Sequence, residues 1–534
     1  MSRTDLRAAI TTALAALLLS GCQVGPKYQR PPAMAQAPPA AYKESPGAAQ
    51  PGNGTAGSAA ATNTAASGTA ASGTTGTQAA DAGEWKVAQP QDAMLKGKWW
   101  EIYQDADLNA LEEKLTIDNQ TIKQYFANFM EARTLVAEAR SQLYPTLGTG
   151  PSYARSQASA NVGSAGTTGN KSQTNLTTLP VDLSWEPDLW GRVRNQIRAE
   201  QYNAQVSAAD LEGERLTEQA SLAEYFFEIR GQDALQAVYT QTVADDQKAV
   251  DLTRSQYETG VGTEISVVEA ENTLQNAQSA LTNMGVARAQ FEHAIAVLTG
   301  SDPSAFSIPV KALSAMPPAV PIGVPSQLLE RRPDIAASER MMAEANAQIG
   351  IAQAAYYPTL TLSAGGGLES STFKHLFDWP SRFWSVGPAV SETIYDGGLR
   401  RAAVRQYTAI YDADVAGYRQ TVLTAFQQVE DALAAVRILS RQIEQQQMAA
   451  QSAQKVVELE TARYETGVDP YIDVVTAQTT LLGDRQTLAT LHTQVMTASV
   501  QLIEALGGGW DSTQLATPEQ VSKKLGDGEI EIQR

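Results

Sequence analysis

Three histidines, a single cysteine and a run of three glycines are the residues of this 534-residue chain that could serve catalytic, redox or phosphate chemistry. His293, His375 and His492 are scattered, with no spacing that would gather metal ligands. Gly365–Gly366–Gly367 follows a strand-like stretch, but no helix opening on Lys-Ser/Thr comes after it, as a phosphate-binding loop requires. The acidic residues are spread along helix-favouring segments, the pattern of solvated faces. These residue types describe no enzyme and require neither cofactor nor metal. One cysteine also leaves no scope for a disulfide within the chain.

The cysteine stands where its thiol has another use. Arg3 and Arg7 precede an apolar stretch, Ala8 to Leu19, too short to span a bilayer. It closes on Leu19–Ser20–Gly21–Cys22, which resembles the bacterial lipoprotein signal. In that chemistry Cys22 receives a diacylglycerol, residues 1–21 are removed and the new amino terminus is acylated; the acyl chains anchor firmly. The rival reading is an ordinary secretory signal with an incidental cysteine. Gln23, rather than the Asp of lipoproteins kept in the inner membrane, favours the outer membrane. Residues 22–95 are expected to form the acylated amino terminus and a flexible spacer, since Pro46 to Ala82 is nearly all Gly, Ala, Ser, Thr, Asn and Gln. With 18% charged residues and a net charge of −18, the chain has no basic footprint for nucleic acid.

Two echoes reveal how the rest is organised. Tyr257–Glu258–Thr259–Gly260–Val261 returns as Tyr464–Glu465–Thr466–Gly467–Val468, and Tyr144–Pro145–Thr146–Leu147 returns as Tyr357–Pro358–Thr359–Leu360. Their offsets nearly agree, at 207 and 213 residues, so a unit of about 200 residues is duplicated. We assign residues 96–298 to the first copy, 299–326 to a linker, 327–507 to the second copy and 508–534 to a polar tail.

No proline interrupts the chain between Pro187 and Pro303 or between Pro388 and Pro470. These gaps predict long helices over Arg192–Glu258 and Arg400–Glu465, each roughly 100 Å long. Shorter arms return over about Ile265–Leu298 and Tyr471–Leu506. In the first arm Val267, Ala270, Leu274, Ala277, Leu281 and Met284 recur at spacings of three and four, a coiled-coil seam. Gly260 and Gly467 fit the left-handed position that closes a helix, and Asp469–Pro470 suits the opening of the next, with Pro in its first turn. The two turns are either plain helix stops or a shared exposed surface.

Ahead of each long helix the period changes to two. Leu179, Val181, Leu183 and Trp185 alternate with polar residues, as do Leu360, Leu362 and Ala364, and Trp384, Val386, Pro388 and Val390. A weaker strand follows Pro145, with Leu147, Pro151 and Tyr153 on one parity. Strand pairs are thus expected at about 143–190 and 357–396, with polar loops over Ser156–Thr178 and Gly365–Arg382. A soluble sheet packed on helices has the same period. If the apolar face instead meets lipid, every edge must be paired. Single-chain barrels need about eight strands, so four per chain must be pooled among several chains.

Further segments make the chain similar to a known family. Leu328–Leu329–Glu330–Arg331–Arg332–Pro333–Asp334–Ile335, Ala343 to Ala347, Ile349–Gly350 and Tyr356–Tyr357–Pro358 resemble the second-repeat signature of outer-membrane efflux factors, the TolC-like superfamily. Asp188–Leu189–Trp190–Gly191–Arg192 and Tyr395–Asp396–Gly397–Gly398–Leu399–Arg400 match its strand-to-helix joints. Leu506–Gly507–Gly508–Gly509–Trp510 matches the end of the lipidated NodT branch. The resemblance implies an α+β membrane protein and a homotrimer. Its three chains would share a twelve-stranded outer-membrane barrel, four strands each, above a long helical periplasmic tunnel. Short helices near Leu108–Gln142 and Asp334–Ala355 would belt the tube. It further implies a passive exit duct for drugs or other toxic compounds, working with a periplasmic adaptor and an inner-membrane pump of the resistance-nodulation-division class. The turns at Gly260 and Gly467 become the tips where the adaptor docks and the pore is shut at rest.

Relatives often close that tip with a bulky aliphatic residue and an Asp four positions on. Here those positions hold Ile472 and Thr476, so the acidic ring falls to Asp473 or Asp469, with Glu269 at the matching position of the first copy. Asp473 equally suits a helix first turn, where the dipole favours an acid. A lipid-anchored periplasmic adaptor or scaffold is the rival function. It would carry one helical hairpin, whereas this chain carries two, with four amphipathic strands.

Overall fold

The computed structural model describes residues 23–34, 42–44, 97–157, 173–313, 316–320 and 325–523. Cys22, the leader before it and the whole spacer expected over 46–82 lie outside the described residues. The chain runs through helices α1 (Ala106–Asp118) and α2 (Gln120–Ser141), strands β1 (Thr146–Gly148), β2 (Ser152–Gln157) and β3 (Gln173–Trp185), and helices α3 (Arg192–Glu258) and α4 (Glu264–Leu298). The second half follows the same order with α5 (Pro333–Ala354), β4 (Thr359–Ser370), β5 (Arg382–Ser391), α6 (Leu399–Glu465) and α7 (Tyr471–Ala505). Both long helices have 67 residues and both returning arms 35. The one short helix expected near Leu108–Gln142 is two, because Asn119 ends α1 and caps α2, its side chain accepting from Ile122 N–H.

The long helices begin in one way. Gly191 and Gly398 occupy the N-cap positions with φ of 82° and 94° and have no side chain to cap with. The carboxylate three residues earlier than Gly191 does so instead. Asp188 accepts from the backbone N–H groups of Val193 and Arg194 at 3.2 and 2.9 Å, and from Arg194 Nε at 3.1 Å. Asp396 likewise accepts from the N–H groups of Gly398 and Arg400 and from Arg400 Nε, the last at 2.7 Å. An acid placed against free N–H groups at a helix start stabilises it twice, by hydrogen bonding and by the dipole.

The strands form one antiparallel sheet in the order β1-β3-β4-β5, with β2 also on β3. β1 and β2 share one register on β3: Thr146 faces Ser184 and Ser152 faces Thr178, so they are a single interrupted strand. The interruption, Thr149–Gly150–Pro151, lies opposite Leu179–Pro180–Val181. Two prolines there lack the N–H a ladder needs, and Thr149 Oγ1 donates to Pro180 O at 2.7 Å instead. The polar loops are shorter than expected. β3 already begins at Gln173, and β4 runs straight through Gly365–Gly366–Gly367 to Ser370. The glycines do not end the strand because they allow a close approach: a Cβ at Gly367 would stand 2.2 Å from Leu179 O.

The core sits where the helices run side by side. Trp99, Leu108, Leu115, Phe226, Ile295 and Ile503 bring α1, α3, α4 and α7 together. Ile335, Met342, Tyr418, Val422 and Leu506 join α5, α6 and α7. Each such side chain, fully withdrawn from water, contributes about 1.5–3 kcal/mol. The inter-repeat segment is pinned by charge. Asp233, fully buried, accepts from Arg288 Nε at 2.7 Å and from Lys311 N–H at 2.9 Å, while Arg230 reaches Asp107 at 2.8 Å and Pro309 O at 2.6 Å.

Ahead of the expected spacer, the described residues between Gln23 and Glu44 form a packed strap. From its start beside the sheet it follows α3, α5 and α6. Val24 N–H donates to Trp190 O and Asn195 Nδ2 donates to Val24 O, both at 3.0 Å. Tyr28 OH then donates to Glu339 at 2.7 Å, and Arg30 Nη2 to Tyr418 OH at 3.0 Å. Lys43 and Glu44 N–H groups end on the Glu430 carboxylate. Gly25 (φ +127°) crosses Gly350 so closely that a Cβ there would be 2.7 Å from the Gly350 Cα. Tyr28, Arg30 and Tyr42, isolated in a small-residue context, were the available sign that this stretch packs.

Candidate functional site: the two helical tips and the apolar sheet face

Each long helix ends in the same closure. Gly260 and Gly467 have φ of +77° and +76°. Val261 N–H returns to Gln256 O and Val468 N–H to Arg463 O, both at 2.9 Å. Thr259 and Thr466, the C-caps, turn their hydroxyls back onto carbonyls of the last turn, at 2.9 and 3.1 Å for Ser255 O and Ala462 O. These bonds satisfy the carbonyls a helix end leaves free. Pro470 is the N-cap of α7 rather than a residue of its first turn, because Tyr471 begins the helix. Asp469 does not cap it: the carboxylate is held by Arg463, with Nη2 at 2.9 Å from Oδ1.

The two tips differ in their aromatic residues. Tyr257 is 48% exposed. Tyr464 instead packs on Tyr471, ring centroids 5.2 Å apart, and its hydroxyl donates to Gln256 Oε1 of the other hairpin. Val250, Ala270, Leu274, Tyr471 and Val474 form a buried cluster around this bond. The coiled-coil seam on α4 supplies part of it: Val267, Ala270, Leu274 and Ala277 are buried, and Leu281 and Met284 half-buried. Outside the cluster, Val261 and Val468 are 81% and 65% exposed, and Glu258 and Glu465 stand in water beside them. Sequence reasoning found the turns and missed the bond between them, since neither Gln256 nor a phenol signals its partner.

Ile472, Asp473 and Thr476 lie together on the exposed face of α7, opposite buried Tyr471, Val474 and Ala477. Thr476 spends its hydroxyl on Ile472 O at 2.8 Å. Higher on the helix Thr479, Thr480, Thr487 and Thr490 do the same with the carbonyls four residues back. Glu269 is placed differently. It is half-buried on α4 and its charge bears on Tyr471. Burial first, then the charges of Asp246, Tyr464 and Glu269, push the Tyr471 phenol up to about 12.

Asp246 was not foreseen. It is buried on α3 beside a cavity of about 430 Å³ lined by Asp245, Glu465, Gln478 and Arg485. Its Oδ2 has no hydrogen-bond partner among the described residues. Desolvation, and secondarily the charge of Asp245, pushes its carboxyl up to about 6.

At the other end, the sheet register puts Leu147, Tyr153, Val181, Leu183, Leu362, Trp384, Val386 and Val390 on one face. Trp384, Val386 and Val390 are more than 70% exposed. The opposite face carries Asp182, Ser184, Ser363, Ser385 and Ser391. The strands at the two ends of the sheet, β1–β2 and β5, have no partner on their outer sides among the described residues. His375 pairs with Asp378 at 2.7 Å. Among the described residues no group of side chains could hold a metal ion and no helix is long and apolar enough to cross a membrane.

An antiparallel sheet with one exposed apolar face, carried on helical hairpins roughly 100 Å long, is the build of a membrane conduit rather than of an enzyme. Residues 112–301 and 324–508 match the outer membrane efflux protein family, and the chain belongs to it. It is 31% identical over 444 residues to the outer membrane protein OprJ of Pseudomonas aeruginosa, covering 81% of this chain and 90% of OprJ. It is 29% identical over 495 residues to the probable efflux pump outer membrane protein SepC of Pseudomonas putida, covering 92% and 95%. Among solved structures, the outer membrane protein VceC of Vibrio cholerae superposes with a TM-score of 0.71 at 28% identity, over 78% of this chain and 99% of VceC. The CmeC channel of Campylobacter jejuni shares the fold, with a TM-score of 0.77 at 20% identity over 95% and 99%.

Proposed function

We propose that three copies of this chain form the exit duct of a tripartite efflux system that clears drugs or other toxic compounds from a Gram-negative cell. The observation that carries this reading is the sheet: four strand positions, an exposed apolar face and a free edge on each side. Exposed edges invite pairing, and in lipid they require it. Three sheets joined edge to edge make a closed twelve-stranded barrel, with Trp384, Val386 and Val390 against lipid and Asp182, Ser184 and Ser385 towards the lumen. The matching lengths of the two hairpins, the repeated phrases and the two-part family match support duplication of one unit. The family's solved structures support the tube.

In this reading the tips around Gly260 and Gly467 receive the periplasmic adaptor, and the inner-membrane pump drives cargo through a passive duct. Ile472, Asp473 and Thr476 are the candidates for its constriction. Cys22 carries the acyl anchor, and the strap that begins at Gln23 starts beside the sheet, at the level where a lipid surface would lie. The decisive experiment is fractionation. A heat-resistant trimer extracted by detergent from outer membranes supports the duct; a monomer in the inner-membrane or soluble fraction would overturn it and favour a periplasmic scaffold.

A further inference from the structure

The β4–β5 hairpin ends, on the side away from the helices, in a loop that differs in chemistry from the rest of this acidic chain. Phe373, Phe377 and Trp379 are 72%, 69% and 75% exposed. Beside them stand exposed Lys374 and Arg382. The loop is built, not loose. His375 Nδ1 meets Asp378 Oδ2 at 2.7 Å, Ser381 Oγ donates to His375 O at 2.6 Å, and Ser381 N–H donates to Asp378 O at 3.1 Å.

The register decides which way the cation faces. Arg382 pairs with Leu368, on the same side of the sheet as Trp384, Val386 and Val390. It therefore sits at the outer rim of the apolar face, and its guanidinium lies 3.4 Å from the centroid of the Trp379 ring. An indole at the end of an apolar band, with a long cation over it, is the arrangement of a lipid–water interface. The ring takes the boundary, the stem lies along apolar surface and the charge reaches the headgroups. A planar guanidinium is suited to phosphate oxygens, two hydrogen bonds at a time, and Lys374 adds a point charge.

We propose that this loop is a binding site for a phosphorylated, multiply acylated glycolipid of the outer leaflet. Phosphate is bound by Arg382 and Lys374, and the acyl chains lie against Trp379, Phe377 and Trp384. The inference rests on the outer-membrane reading above, which sets this end of the hairpin at the leaflet facing the exterior. In a two-membrane envelope that leaflet is built of such glycolipid.

The test is native mass spectrometry of the purified full-length protein in detergent. The probes are bis-phosphorylated lipid A, the same glycolipid stripped of its phosphates, and phosphatidylglycerol. Phosphorylated lipid A is expected to be retained at least about tenfold better than the stripped form, as charge-assisted bonds to phosphate dictate. The K374Q/R382Q double variant should lose that preference while keeping its oligomeric state and conductance. W379A should weaken retention of both glycolipids. Equal retention with and without phosphate, or an unaltered preference in K374Q/R382Q, would overturn the proposal. So would equal binding of phosphatidylglycerol, which would make the loop a general anionic-lipid contact. An outer-membrane trimer that fails these tests leaves the duct intact and removes only this site.

Discussion

Tyr464, in the last turn of α6, donates its hydroxyl to Gln256 Oε1, in the last turn of α3, so the two hairpins of one chain are tied at their tips. The bond lies over the buried cluster of Tyr471, Val474 and Leu274. A net hydrogen bond contributes about 0.5–1.5 kcal/mol. Tyr464→Phe keeps the ring on Tyr471 and removes only the tie. Resting conductance of the variant in planar bilayers should therefore rise, by up to about tenfold in open probability. Gln256→Ala should do the same, and the double variant should add little to either. Wild-type resting conductance in both single variants would show that the tie does not hold the closed form.

Asp246 makes tip packing depend on pH. Its carboxyl is pushed up to about 6 by burial, so the packed tip prefers the neutral form. Between roughly pH 4 and 6 the packed state holds a proton that an opened tip releases. Packing should be tightest below about pH 4 and loosen as pH rises through 6. Asp246→Asn should flatten this dependence and slow hydrogen exchange at the tips at pH 7. Exchange that ignores pH in the wild type would contradict it.

Gly260→Pro and Gly467→Pro cannot reach the φ near +77° and +76° that the two closures use. Export, measured as drug or metal tolerance, should fall, while the proposed trimer should persist because the sheet is untouched. Alanine at either position should be milder, costing about 1–2 kcal/mol locally, since nothing lies within 4 Å of a Cβ there.

Asp473 and Glu269 should separate in single-channel recordings. In the proposed trimer, three-fold symmetry would turn each Asp473, exposed on α7, into a ring of like charge that favours cations. Asp473→Ala should lower cation preference. Glu269, half-buried near Tyr471, should alter gating more than selectivity. If both variants keep wild-type conductance and preference, neither residue lines the constriction.

Cys22→Ser should abolish labelled-palmitate incorporation yet leave the proposed trimer, because in that reading the sheet supplies membrane burial and the strap retains its own bonds to Glu339, Tyr418 and Glu430. Palmitate still entering the variant would refute acylation at Cys22.

Helix ends were legible because proline and glycine punctuate them locally. The expected Arg192–Glu258 is the observed span of α3, and Arg400–Glu465 differs from α6 by one residue. Strand faces were legible from alternation. Strand ends were not, because Gln173–Thr178 and Gly365–Ser370 are polar or glycine-rich and owe their pairing to the neighbouring strand. The tip turns could be read, but the Tyr464–Gln256 bond and the desolvated Asp246 could not. Both depend on which residue of a distant segment lies opposite, and nothing local encodes that. Tyr28, Arg30 and Tyr42 signalled that the strap packs, but not on which distant residues.

The strap carries a consequence in time. Gln23 to Glu44 are synthesised early, and every surface they rest on is made later: Asn195, then Glu339, then Tyr418 and finally Arg437, nearly 400 residues downstream of its partner Glu44. Closing so long a loop is entropically costly and slow. An early-made segment is therefore among the last to be seated. Until those partners exist, the strap has none of the side chains it will later bind.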